Sequence, residues 1–403
     1  MSCAYGDRDR AVAAAALAAR IPAYVREWGG AGVDAAAFSS DDFERLPFLS
    51  KSAIMDGAAA SPPFGDRLGV PREQVAMVFA AAGSIYMPFT RDDFAALAAA
   101  TARALASCGL EPGDVVDQTV MYNFVIGGSL IDAGLRHLGC TVVPGGPGNT
   151  DVHLQTIMDL GVNAIVAFPS FLAHLLETAA ERGLELPLRK AAISGEMREE
   201  GFKERVRREH GVTVRERYGV AEVGTVAYEC AAGEGLHLSD SVLFEFVDPE
   251  TGALRALDDP EPKEIVVTDV NRVAMPIIRL RTGDLVEDLI VSRCGCGSAS
   301  PRIRRIVGRV GDVPRVKGMF VVPRRVEGVL RSHSIETGFQ LRIERSGNFD
   351  CLTVVVARPA GGVRDAAGLQ ADIEGVLRMR IELLEVDALP DDAPVVDDRR
   401  VNA

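Results

Sequence analysis

The 403-residue chain has no run of basic residues, no tandem repeat, no long low-complexity linker and no apolar stretch long enough to span a bilayer. Each absence removes a class of function. With a net charge of -13 and no lysine- or arginine-rich stripe, the phosphate electrostatics that drive nucleic-acid binding are missing, so no nucleic acid is expected as a partner. The alanine-rich N-terminal stretch is preceded by charged residues and interrupted by Arg20, which fits neither a signal peptide nor a span of about 20 apolar residues. A helix with an alanine face, and no membrane partner, is the expectation. Seven oddly spaced cysteines are too few for a disulfide framework, which leaves reduced thiols or metal ligands and points to the cytoplasm.

What is present suffices for a large core and a further lobe: 47% of residues are hydrophobic and 25% charged. From about residue 95 to 230, helical patterns such as "IGGSLIDAGLRHLG" and "SFLAHLLETAAERG" alternate with short strand-like runs, "DVVDQTV", "CTVVPGG", "VNAIVAF" and "KAAISG". Such alternation predicts βαβ units on a mainly parallel sheet, with ligands expected past the carboxyl ends of the strands, at "PGGPGNT", "AFPS" and "ISGEM". From about 236 to 310, short strands and turns read as a β-rich section appended to that body, and beyond Gly311-Asp312 a hairpin and a helix read as a small separate unit. The expected fold class is α/β: a large N-terminal domain (1–311) of mixed and parallel sheets with helices plus the β-rich section, and a small C-terminal α+β domain (312–403).

Cys230 and His237 stand in "ECAAGEGLHL", Cys294 and Cys296 in "RCGCGS". Three thiolates and one imidazole suit a closed tetrahedral Zn²⁺ site of structural role. Buried free cysteines with a surface histidine are the competing reading, because Cys-x-Cys departs from the usual ligand spacing. A shared ion would staple the β-rich section to the α/β body. In "RYGVAEVG", Tyr218, Gly219 and Glu222 follow the strand-like "VTVRE", in a turn where a ring could stack on a base and a carboxylate could reach Mg²⁺. A Tyr-Gly turn with a solvated glutamate reads the same way. "IIRLRTGDLV" places Asp284 in a tight turn after a strand, either a ligand for ribose hydroxyls or a routine turn.

Taken in order along the chain, "IPAYVREW", "LPFLSKSAIMD", "YNFVIGGSLIDAGLRHLGCTVVPGGPGNT", "FPSFLAHLLE", "SGEM", "RYGVAEVG", "PIIRLRTGDL", "CGCGSASPRIRRIVGRVGD" and "VKGMFVVPRRVE" resemble the phenylacetate–CoA ligase branch of the adenylate-forming enzymes. The resemblance implies ATP and Mg²⁺, a small-molecule carboxylic acid of aryl or arylacetyl type or its activated form, and an acceptor thiol on CoA or a carrier protein. It implies that Ser194, Gly195 and Glu196 flank the adenine, that Tyr218 with Gly219 stacks on it, and that Glu222 serves catalysis on Mg²⁺. Asp284 and Arg309 would hold the ribose, and Tyr122, Asn123, Phe124, Gly127 and Gly128 would line the acyl pocket. The family's zinc pattern falls on Cys230, His237, Cys294 and Cys296, its domain hinge on Asp312, and its members often form homodimers.

Two places depart from that pattern. In "FAAAGSIYMPFTRDDF", Gly83 and Ser84 survive from a phosphate-wrapping loop, but Ile85, Tyr86 and Met87 fall where Thr, Gly and Lys would be. No lysine follows Lys317, where the family carries one near the end of its small domain. Three readings stand: a ligase with a remodelled phosphate loop; a degenerate homologue acting as an acyltransferase on a preformed acyl-adenylate or thioester; and a non-catalytic binding partner.

Overall fold

The structure, a computed structural model, describes residues 3–81, 85–196, 201–310, 314–316, 319–346, 349–359, 362–377, 379–390 and 393–400. A twelve-stranded sheet runs in the order Ala4–Tyr5, Val242–Val247, Lys263–Asp269, Leu280–Ile290, Arg302–Arg309, Leu236–Leu238, Gly224–Glu229, Thr213–Val220, Lys190–Ile193, Ala164–Ala167, Val115–Gln118, Thr141–Val143. The last five are parallel, as the alternation of helix and strand patterns requires. Gly224–Glu229 then returns antiparallel beside Thr213–Val220. The β-rich section joins the α/β body by pairing with what would be the body's open edge, and so continues the same sheet.

Side chains alternate across that sheet, so neighbouring residues of one strand feed two cores. Ala191, Ile193 and Val214 face a cluster with Leu172, Leu176 and Val206, from the helices Pro169–Glu181 and Phe202–His210. Ala192, Val116 and Val166 face the opposite cluster with Leu105, Ile131 and Leu135, from Arg91–Ser107 and Ile126–Leu138. Burial on both faces is why Ala164–Ala167 reads as a continuous apolar run. The long helix Arg91–Ser107 opens on a reciprocal cap, Asp93 N–H donating to Thr90 Oγ1 at 3.0 Å and Thr90 N–H to Asp93 Oδ2 at 2.9 Å. The N-terminal helix Arg8–Ala18 buries Ala11, Ala14, Ala15 and Ala18, the alanine face expected of it.

The chain divides into two compact units, one formed by 1–259, 264–282 and 288–305, the other by 260–263, 283–287 and 306–403. Within the second, a four-stranded sheet is ordered Glu382–Val386, Phe349–Ala357, Phe339–Ser346, Val396–Asp398. The expected hairpin is its central antiparallel pair. The helices Pro323–Ser332 and Ala366–Leu377 supply Val326, Leu330, Leu369 and Ile373 to a core shared with Leu341, Ile343 and Val354. The boundary read at Gly311-Asp312 lies outside the described residues.

Candidate functional site

The turns that follow the parallel strands are built around glycines that admit no side chain. A Cβ on Gly195, which has φ 85°, would lie 2.3 Å from the Phe168 ring, so the turn after Ile193 closes only with glycine there. Ser194 beside it is half-buried. Glu196 turns back and accepts from the Ser170 N–H at 3.1 Å and its hydroxyl at 2.9 Å, satisfying the start of the helix Pro169–Glu181, which Phe168 cannot cap.

One turn earlier along the sheet, His153 is buried with Nδ1 2.6 Å from Asp117 Oδ2 and Nε2 3.0 Å from the Gly146 carbonyl. Both partners accept only, so the ring fills the geometry as the doubly protonated imidazolium. Its pKa is raised accordingly, first by the hydrogen bond to Asp117 and against the pull of burial. Gly145 lies so close that a Cβ would come 2.4 Å from His153 Cε1. The dyad thus pins the Gly145-Gly146 turn, a function that no local motif announces.

The strand Thr213–Val220 runs through Tyr218 and Gly219, so these stand at a strand end and not in the turn expected after "VTVRE". A bulge between Tyr218 and Gly219 absorbs one extra residue and lets the ladder continue to Val220. Tyr218 is half-buried, whereas Glu222, in the turn beyond, is only 1% exposed. The solvated glutamate is therefore excluded. Its Oε1 sits 3.2 Å from Lys51 Nζ, at the first residue of the helix Lys51–Ala60, and its Oε2 has no hydrogen-bond partner. The buried Arg272 guanidinium adds positive charge nearby; it stacks 4.1 Å over the Phe89 ring and lies 3.4 Å from Asp269. A buried carboxylate oxygen with no donor keeps a lone pair for a hard divalent cation, which proteins hold by one or two carboxylates together with phosphate oxygens.

Across the sheet end, Gln118 clamps the segment before the helix Ile126–Leu138: its amide donates to the Val120 carbonyl at 3.0 Å and to that of Gly128 at 3.3 Å. A Cβ on Gly128 would meet the Met121 carbonyl oxygen at 2.5 Å. Tyr122 donates its hydroxyl to Asp132 at 3.0 Å, and burial is the first cause that pushes its pKa up to about 12. Asn123 is exposed, and Phe124, itself 85% exposed, holds φ 57°, a conformation a bulky residue adopts at a cost of about 1 kcal/mol or more. Its carbonyl accepts from Ala80 N–H at 2.8 Å, tying the segment to the hairpin Met77–Ala81/Ile85–Phe89. In that hairpin Ile85 and Met87 point into the core and Tyr86 points out. Gly83 and Ser84 lie outside the described residues.

In the second unit, Arg309 Nε donates to Asp284 Oδ1 at 3.1 Å. Asp284 does not sit in a turn after a strand, as its Thr-Gly-Asp context suggests; Gly283 takes φ 80° and the strand Leu280–Ile290 continues through both. Asp312 lies outside the described residues.

The four metal-ligand candidates converge. Cys230 Sγ lies 3.7 Å from Cys294 Sγ, Cys296 Sγ lies 3.6 Å from His237 Nε2, and all four donor atoms fall within 4.8 Å of one another. A tetrahedron with bonds of about 2.3 Å has edges of about 3.8 Å, close to the Cys230–Cys294 and His237–Cys296 separations, so these four residues could hold a metal ion. Cys230, His237 and Cys294 are buried and Cys296 is at the surface, an arrangement reached because the strand Leu236–Leu238 pairs with both Gly224–Glu229 and Arg302–Arg309.

No described helix is long and apolar enough to cross a membrane. No family model matches the chain. It is 33% identical over 344 residues to a phenylacetate-coenzyme A ligase of Thermus thermophilus, covering 82% of this chain and 76% of that protein. To the phenylacetate-coenzyme A ligase of Escherichia coli K12 it is 30% identical over 351 residues, covering 83% and 78%. Among solved structures it is similar to 2-hydroxyisobutyryl-CoA ligase in an open conformation, in complex with 2-HIB-AMP and CoA, with a TM-score of 0.83 and 25% identity over 96% of this chain and 90% of that one. Apo MatB of Rhodopseudomonas palustris shares the fold, with a TM-score of 0.55 and 18% identity over 81% of this chain and 67% of that one.

Proposed function

The chain belongs to the phenylacetate–CoA ligase family of adenylate-forming enzymes, and from that premise we propose that it converts a carboxylic acid to an acyl-adenylate with ATP and then to a thioester with CoA. The observation that carries the reading is a relative 33% identical over 82% of the chain, joined to a buried Glu222 whose second oxygen is open. The similarity supports this reading and not the one that starts from a preformed acyl-adenylate or the one without catalysis, which rest on Met87 in the loop and on the lack of a lysine after Lys317.

In the first step a carboxylate oxygen attacks the α-phosphorus of ATP and pyrophosphate leaves; in the second the CoA sulfur attacks the acyl carbon and AMP leaves. We assign Glu222 to holding Mg²⁺, with Lys51 fixing one carboxylate oxygen so that the other faces the ion. Mg²⁺ supplies neutralisation of the phosphate charge. Tyr218, Ser194 and Gly195, at neighbouring strand ends, are assigned to the adenine, with Glu196 fixing the turn through Ser170. Asp284 and Arg309, which pair with each other, are assigned to the ribose on the resemblance of the motifs that carry them. The segment from Tyr122 to Gly128 is assigned to the acyl group, which suits an aryl or arylacetyl acid through the exposed Phe124 ring. Cys230, His237, Cys294 and Cys296 are assigned to a structural Zn²⁺, since four protein ligands leave no position open for water. Acid-dependent exchange of labelled pyrophosphate into ATP tests the first step; no exchange with any of a panel of aryl and short acyl acids, mono- and dicarboxylic, would reject it.

A further inference from the structure

We propose that Arg217 is the anion-binding end of the acyl site, so that the acid this chain activates carries a second carboxylate at its far end; the proposal rests on the acid-activating reading above. Among the described residues the arginines buried in the protein are Arg67, Arg217, Arg272, Arg279 and Arg302. Four meet a carboxylate: Arg67 meets Glu27, Arg272 meets Asp269 at 3.4 Å, Arg279 meets Glu245 at 2.8 Å and Arg302 meets Glu234 at 2.6 Å. Arg217 meets none. Its Nη1 reaches Thr225 Oγ1 at 3.3 Å and its Nη2 reaches Ser194 Oγ at 3.4 Å, both long, and its Nε has no partner. Burial lowers its pKa from the ordinary value, and the group that opposes it is the buried Cys108 thiol, not a carboxylate. An ion taken from water without a counter-charge costs several kcal/mol, a standing cost that an anionic ligand would offset.

Its position says which ligand. Arg217 precedes Tyr218 directly and stands opposite Tyr228 in the antiparallel ladder, so both face the same side of the sheet. Tyr228 packs on the cluster that holds Ile131 and Leu135 of the helix Ile126–Leu138, whose first turn carries Gly127 and Gly128. The guanidinium therefore lies on the sheet face that this helix and Arg91–Ser107 cover together, beside Cys108, and ends at Ser194, half-buried in a turn assigned to the nucleotide. An acyl-adenylate joins its acyl carbonyl to the α-phosphate, so its acyl chain must leave the nucleotide and enter a neighbouring space. A planar fork of five N–H donors there matches a carboxylate by two parallel bonds. A neutral acid would leave that cation unpaired and be rejected, as polar sites reject analogues that lack the matching group.

The test is equilibrium binding of non-reactive acyl-adenylate mimics to the full chain, so that it does not depend on turnover. The probes are 5′-O-(N-acylsulfamoyl)adenosines in matched pairs, 4-carboxyphenylacetyl against 4-carbamoylphenylacetyl and glutaryl against glutaramoyl. At least one pair is expected to show tenfold or greater preference for the carboxylate. Arg217→Met is expected to abolish that preference and, with no ligand, to melt at a higher temperature than the wild-type protein. Equal binding within both pairs, no binding by any probe, or an Arg217→Met loss equal for carboxylate and carboxamide would overturn the proposal, the last by moving Arg217 to the nucleotide. Loss of the adenylation reading itself would show separately, as tight carboxylate-selective binding without pyrophosphate exchange.

Discussion

Replacing Lys51 by methionine removes the ammonium that lies 3.2 Å from Glu222, a carboxylate 1% exposed at the start of the turn after Thr213–Val220. With an effective dielectric constant of about 20, two unit charges at that distance attract by about 5 kcal/mol. The Lys51 side chain is 34% exposed, so water screens part of this and its own desolvation is incomplete. A net cost of about 2–3 kcal/mol remains for leaving Glu222 buried beside only the more distant charge of Arg272. For a unit of this size that lowers the melting temperature by about 4–10 °C. Glu222→Gln removes the charge that Lys51 serves, so the double variant should melt close to Glu222→Gln alone, with a coupling energy of about 2 kcal/mol. Thermal melts and urea titrations of the four proteins measure this. Strict additivity, or a Lys51→Met cost below about 0.5 kcal/mol, would refute the pairing and with it the assignment of Lys51 as the fixed side of a cation-holding carboxylate.

Gly128→Ala should cost about 1–3 kcal/mol, because its Cβ would sit 2.5 Å from the Met121 carbonyl oxygen, whereas Gly127→Ala, facing a Val120 methyl at 3.2 Å, should cost less; paired urea titrations decide. His153→Gln should destabilise most at acidic pH: the folded pKa is raised, so the stability His153 contributes is full below about pH 6.5 and is lost as pH rises through the higher folded value. Melts of the two proteins should therefore converge toward alkaline pH, and a gap that widens there would contradict the imidazolium. Elemental analysis should find one zinc per chain, lost in Cys294→Ser, and a strong chelator should lower the melting temperature of the wild-type protein but not of that variant.

The parallel half of the sheet was legible because a strand buried on both faces, such as "AIVA" at 164–167, reads as apolar throughout, and because four of its five strands are each followed by a helix. The Cys/His cluster was legible because its ligand chemistry is distinctive even when its two halves are 64 residues apart, as Cys230 and Cys294 are. The surroundings of Glu222 were not legible. Lys51, Arg272 and Glu222 are brought together by the sheet, and nothing local to "RYGVAEVG" distinguishes a solvated glutamate from one buried against a lysine. The same holds for His153 with Asp117 and for Arg217, whose significance lies in lacking a partner, a property no single residue's neighbours in sequence can display. Asp284 was misplaced because Thr-Gly-Asp is a turn signal, and a single glycine at φ 80° bends this strand without ending it.

The most direct test of the central claim is to supply ATP, CoA and a carboxylic acid labelled with ¹⁸O in both carboxyl oxygens, and to weigh the products by mass spectrometry. Attack of the carboxylate on the α-phosphorus, followed by thioester formation, leaves one labelled oxygen in AMP and one in the acyl-CoA. AMP carrying a single ¹⁸O, in equal amount to acyl-CoA, is the expected result. Acyl-CoA formed with unlabelled AMP, or with the label in inorganic phosphate, would contradict the adenylate and the assignment of this site.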